Sequence, residues 1–182
     1  MPQYRFSPQR PQRMFWAVTG FLVILLGTPA LLAVALPTDT QTEPEEVVIS
    51  GPMSEWKTSV PGLECEPDPM AITMNGWYCD DLYIQGAQTI DVDDDALALQ
   101  RGVRAYQMAE MPEGEVYEDN GTFALYDAPS RTLAFSFPHQ QDNIDQQVFL
   151  TGSPENILPV AEDIWDTFTD DQLPEAVVKE LP

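Results

Sequence analysis

The chain has 182 residues, with 8 Lys+Arg, 30 Asp+Glu and 1 His, and a formal net charge of −22. That balance excludes nucleic-acid binding, which needs a basic face to displace counterions. It equally excludes a polybasic grip on lipid headgroups, and the length leaves room for one modest domain.

The charge is divided along the chain. Residues 1–13 carry Arg5, Arg10 and Arg13 and no acid, whereas all thirty acids lie at or beyond Asp39 with five basic residues among them, so residues 37–182 carry −25. Between the two parts, Met14 to Leu36 is an uncharged run of 23 residues. At ~1.5 Å per residue it reaches roughly 34 Å as a helix, against a hydrocarbon core of about 30 Å. Three arginines before it and acids after it place residues 1–13 in the cytoplasm and the rest outside a cell membrane, with Phe15 and Trp16 at the inner interface. The competing reading is a cleaved signal peptide, since Ala33-Val34-Ala35 has the small-x-small form of a cleavage site. The run is longer than a usual signal core, and cleavage would leave Leu36-Pro37 at the new terminus, so the retained anchor is the expectation. Ala17, Gly20, Gly27 and Thr28 share one side of the helix. Small residues there admit another helix backbone, although Gly is also simply common in such spans. Pro29 is expected to kink or loosen the helix.

Residues 37–52 read as an acidic, Pro-rich solvated linker that ends in a short strand at Val47-Val48-Ile49. Residues 53–182 read as one α+β domain, an antiparallel sheet with helices against one face. Asn75-Gly76 is expected to be a turn, with short strands at Trp77-Tyr78 and Leu82-Tyr83-Ile84 around it and another at Thr89–Val92. Leu99, Val103 and Tyr106 recur at helical spacing after Asp93-Asp94-Asp95, which supply a cap and first-turn negative charge. A meander follows: Val116-Tyr117, a turn at Asp119-Asn120-Gly121, residues 122–126, a turn at Pro129-Ser130, and residues 132–137. The alternation of Phe123 and Leu125, and of Leu133, Phe135 and Phe137, predicts one apolar face. Residues 147–150 form a further strand. A helix begins at Ser153-Pro154-Glu155, or restarts at Pro159, and a short helix lies within Leu173–Leu181.

Two cysteines, Cys65 and Cys79, are separated by thirteen residues. On the outer side of a membrane an even count predicts a disulfide. No C-x-x-C, haem-attachment or copper set is present. His139 is the sole histidine and sits in a polar stretch with no G-x-S-x-G elbow, so a nucleophile–base pair is not expected. Asp91-Val92-Asp93-Asp94-Asp95 spaces its oxygens like a calcium loop. However, Ala96 replaces the turn glycine and Gly102 the closing glutamate, and a helix cap is the simpler reading. With thirty acids, any pair suited to glycoside chemistry carries little information. No catalytic residue, metal ligand or cofactor is assigned.

The Arg-only tail (Arg5, Arg10, Arg13), the span Met14–Leu36, the Pro/Glu linker and the small acidic domain with Cys65 and Cys79 form a layout. It resembles that of the small single-pass accessory subunits of actinobacterial respiratory supercomplexes, in which a cytochrome bcc complex is joined to a cytochrome oxidase. The resemblance implies a non-catalytic subunit without haem or copper of its own, partnered by cytochrome bcc and oxidase subunits. An anchored extracytoplasmic binding module for a basic ligand, peptide or cation is the alternative. A wall-acting hydrolase using carboxylates is a third reading.

Overall fold

The computed structural model describes residues 11–35, 43–51, 55–71, 73, 75–139 and 143–181. Arg5, Arg10, Leu36 and part of the linker 37–52, residues 37–42 and 52, lie outside the described residues. The chain divides into two units, residues 1–41 and residues 42–182.

In the first unit α1 (Pro11–Ala35) is one helix of 25 residues. Its side chains from Phe15 to Leu26 are nearly all exposed, and the Thr28 hydroxyl donates to the Ile24 carbonyl, which satisfies a polar group within an apolar helix. Among the described residues no helix is long and apolar enough to cross a membrane.

The second unit is α+β. Its strands are β1 (Glu45–Ile49), β2 (Thr58–Pro67), β3 (Gly76–Cys79), β4 (Leu82–Ile90), β5 (Val116–Asp119), β6 (Thr122–Asp127), β7 (Thr132–His139) and β8 (Ile144–Thr151). Its helices are α2 (Asp95–Gln107), α3 (Pro154–Thr169) and α4 (Glu175–Glu180). The eight strands form one sheet in the order β1-β2-β3-β4-β8-β7-β6-β5, with every neighbour antiparallel. After β4 the chain crosses to the far edge through α2. It then returns as the β5–β8 meander, which closes on β4 from Tyr83↔Thr151 to Ile90↔Ile144.

Helices cover both faces of this sheet, not the single face expected. Leu99 and Val103 of α2 pack with Leu125, Ala134 and Phe149 on one side. Ile157, Ala161, Ile164 and Trp165 of α3 and Val177 of α4 pack with Ile84, Leu133, Phe135, Val148 and Leu150 on the other. The reason is in the register. Leu125 lies opposite Ala134, and Ala124 opposite Phe135. Phe123 and Leu125 therefore point away from Leu133, Phe135 and Phe137, and Phe123, Leu125 and Phe135 each face a small side chain. In β7 and β8 consecutive residues are apolar, the pattern of strands buried on both sides.

Three other expectations shift. The folded unit begins at residue 42, not 53, because Val47 and Ile49 of β1 are fully buried in the main core. The turn of the β3–β4 hairpin is Asp80-Asp81, with Asp80 at φ 52°, not Asn75-Gly76. Asn75 is buried and staples two strands: its amide donates to the Val48 carbonyl at 3.1 Å and to the Ser50 hydroxyl at 2.7 Å. Residues 89–92 are no separate strand, since Thr89 and Ile90 end β4. Strand β2 was not foreseen at all. It carries Pro61 and, at φ +80°, Gly62, which fall in the gap between the Val48↔Ser59 and Glu46↔Glu64 pairs. Pro lacks a donor and Gly62 takes the left-handed bend, so the bulge absorbs two residues that otherwise signal a break.

The remaining signals hold. Asn120 (φ 50°) and Gly121 (φ 82°) make the tight β5–β6 turn, where both central residues need positive φ. The Asp94 carboxylate caps α2 by accepting from the Leu97 amide at 2.9 Å. Pro154 occupies the first turn of α3, and the helix runs unbroken through Pro159. Leu150 is fully enclosed beneath α3. Leu150→Ala is expected to lower stability by ~2–5 kcal/mol, read as a lower denaturant midpoint, whereas exposed Met108→Ala stays within about 0.5 kcal/mol.

Candidate functional site

Cys65 of β2 and Cys79 of β3 are joined by a disulfide, with Cα atoms 4.8 Å apart. The pairing is set by the sheet: Glu66 is opposite Tyr78, which places Cys65 across from Cys79. Position is thus fixed by backbone hydrogen bonds before the sulfurs bond. The bridge encloses the irregular segment from Glu66 to Tyr78, and in the chain-entropy view a loop of this size adds ~3 kcal/mol.

A groove of about 590 Å³ opens beside the disulfide, between β2, β3 and the start of α3. Leu63, Leu82 and Val160 give it apolar surface, and Glu64, Glu66, Asp80 and Glu155 bring carboxylates; among the described residues no Lys, Arg or His lines it. Tyr78 is half exposed on its wall and leans on Tyr83, ring centroids 4.7 Å apart. Tyr83 is fixed in turn by donating its hydroxyl to Asp68 Oδ2 at 2.7 Å. Burial first, and then that hydrogen bond to an anion, push the Tyr83 phenol well above its ordinary range, so it stays a donor. An apolar floor, an anchored aromatic ring and uncompensated carboxylates together make a surface that accepts positive charge.

A second acidic cavity, about 320 Å³, lies where the β4–α2 connection meets β8. Asp91, Asp93 and Asp95 come from the connection and Asp145 from β8. The sequence pattern around Asp91–Asp95 could not show Asp145, which is distant along the chain and arrives through the Thr89↔Asp145 pairing. Asp145 is 5 % exposed, and its Oδ2 has no hydrogen-bond partner among the described residues. Burial, and then the charge and hydrogen-bonding contact of Asp95, raise its carboxyl to about 6. Among the described residues, no three His, Cys, Asp or Glu side chains converge to hold a metal ion.

The other residues singled out from the sequence do not gather into a site. Ala17, Gly20, Gly27 and Thr28 all fall within α1, where Ala17, Gly20 and Thr28 are exposed. His139 ends β7 opposite Ile144, and its side chain lies outside the described residues. No protein-family model, no curated protein and no solved structure matches this chain.

Two expectations follow. Replacing both cysteines (Cys65→Ala with Cys79→Ala) is expected to cost ~3 kcal/mol of stability, and a reductant is expected to lower the melting temperature of the natural chain but not of the double variant. The Asp145 carboxyl binds its proton more tightly in the folded chain, about 6, than at the ordinary 3.8. Its contribution to stability is therefore complete below pH about 4 and is lost as the pH rises through about 6. Asp145→Asn is expected to melt higher than the natural chain near pH 8 and level with it near pH 4; equal melting at both pH values would remove the effect.

Proposed function

We propose that the chain is a single-pass, membrane-anchored accessory subunit without catalysis of its own, whose acidic folded unit docks on a basic face of a membrane complex outside the cell membrane. The observation that carries this reading is the groove beside Cys65–Cys79, where four carboxylates and a half-exposed Tyr78 surround apolar surface with no cation among the described residues of the lining. Charges of one sign at such a surface steer a partner of the other sign and discriminate against acidic ones. The disulfide suits an oxidising compartment. The uncharged run Met14–Leu36, between a +3 tail and a −25 remainder, suits an anchor with its N-terminus in the cytoplasm. Ala17, Gly20, Gly27 and Thr28 offer the side on which partner helices pack. On the resemblance in layout, the partner is the cytochrome bcc–oxidase respiratory supercomplex.

The same groove favours a second reading, an anchored binding module for a basic peptide or ligand. Its volume accommodates a short segment, whereas a subunit interface extends well beyond one groove.

Affinity purification of the tagged full chain from mild detergent, with partners identified by mass spectrometry, separates the two. The accessory-subunit reading expects co-migration with haem-bearing complexes and a weaker association as salt rises. It further expects Glu64→Gln with Glu66→Gln to reduce recovery of the complex several-fold. A chain that migrates alone, away from haem, refutes that reading.

A further inference from the structure

We propose that the cavity between the β4–α2 connection and β8 is a binding site for a primary ammonium group, with the carboxylates of Asp145 and Asp95 as its acceptors. The inference does not depend on the accessory-subunit reading, since it rests on a different part of the folded unit.

The starting observation is Asp145 Oδ2. Among the described residues this one oxygen has no hydrogen-bond partner, in a residue only 5 % exposed. A buried acceptor left unmade costs more than an ordinary hydrogen bond returns, and structures rarely retain one without a use. Asp145 also faces Asp95 across the same cavity, so two acid groups share one small space. Two facing carboxylates are relieved by a positive donor placed between them. Among the described residues no Lys, Arg or His lines the cavity to supply one. Asp94 does not compete for the role, as its carboxylate is already committed to the Leu97 amide.

The chemistry of the donor follows from geometry. A calcium ion takes six to eight oxygens at about 2.3–2.6 Å. Among the described residues no three acidic side chains converge in that way. An ammonium group needs less: it has three donors, and its hydrogen bonds to carboxylates run about 2.7–2.9 Å. Two acceptors at the pair satisfy most of it, and the exposed Asp91 and Asp93 at the rim supply an attracting field. Val92 and Pro138 add apolar wall to the same cavity. Apolar wall leading to buried charge matches a methylene stem ending in –NH₃⁺, the shape of a lysine side chain or an aliphatic diamine. A guanidinium, planar and five-donored, fits a pair of acceptors on one wall less well than a compact ammonium does.

The test is thermal melting of the full chain in detergent near neutral pH. The probes are 1,5-diaminopentane and Nα-acetyl-lysine amide, with tetramethylammonium chloride and calcium chloride at matched ionic strength. Tetramethylammonium carries the charge without N–H donors. The primary amines are expected to raise the melting temperature by several degrees and tetramethylammonium to leave it unchanged. The shift is expected to survive Asp163→Asn, which removes one charge from the exposed side of α3, and to vanish in Asp145→Asn and Asp95→Asn. A shift with the diamine alone assigns the site to free amines. A shift with the lysine amide assigns it to a lysine side chain. Equal shifts in Asp145→Asn and Asp163→Asn overturn the proposal in favour of diffuse charge screening. A larger, Asp145-dependent shift with calcium overturns it in favour of a divalent ion. No shift with either amine overturns it outright.

Discussion

The pairing of β4 with β8 is the constraint on which the rest of the folded unit depends. The eight residue pairs from Tyr83↔Thr151 to Ile90↔Ile144 join two stretches of chain that are otherwise separate ladders, β1–β4 and β5–β8. The excursion between them, α2 and three strands, must close before this ladder forms, and such closure carries an entropic cost that only dense burial offsets. Burial is dense here because β8 is enclosed on both sides, with Val148 and Leu150 under α3 and Phe149 under α2. Gly102 shows how close α2 approaches: a Cβ there would collide with Gln147 Oε1. The seam also builds the amine cavity, since it is the strand pairing that carries Asp145 beneath the start of α2.

Electrostatics divides between the ends of the seam. Near the Tyr83 end, acidic groups ring the groove beside the disulfide and leave an aromatic wall at Tyr78. At the Ile144 end, four acids line a smaller cavity and one of them is buried. These are different devices. Exposed carboxylates around apolar surface act through a field that salt screens, and they set encounter and partner choice. A buried carboxyl oxygen left unpaired acts at short range and demands a specific donor. One folded unit thus holds a broad acidic surface and a narrow acidic cleft, and the two are separable by salt and by single substitutions.

Several local features were legible in the sequence because their causes are local. A positive-φ pair at Asn120-Gly121, a carboxylate cap at Asp94 and a proline in the first turn of α3 each depend on a few neighbouring atoms. The helical stripe Leu99–Val103 and the strands of the meander follow from periodicity alone. The disulfide was legible from cysteine count and the expected compartment. What misled was also local: no strand is expected over the stretch with Pro61 and Gly62, yet β1 and the buried core hold them in a bulged strand, and Asn75-Gly76 reads as a turn although Asn75 is a buried staple. Local preference is worth a few kcal/mol at most, and tertiary burial overrides it.

By itself the sequence determined the division of charge, the uncharged run of 23 residues, the α+β class and the pair Cys65 and Cys79, because composition, periodicity and counting need no knowledge of what lies across space. Only the tertiary structure decided that helices cover both faces of the sheet, that the folded unit takes in β1, and that Asp145 meets Asp95. Those facts are set by strand register, and a shift of one residue would turn every side chain to the opposite face. The −22 of the whole chain is likewise a sum that the sequence states. Where its carboxylates gather, and which of them is left buried without a partner, is a property of the pairing between distant strands.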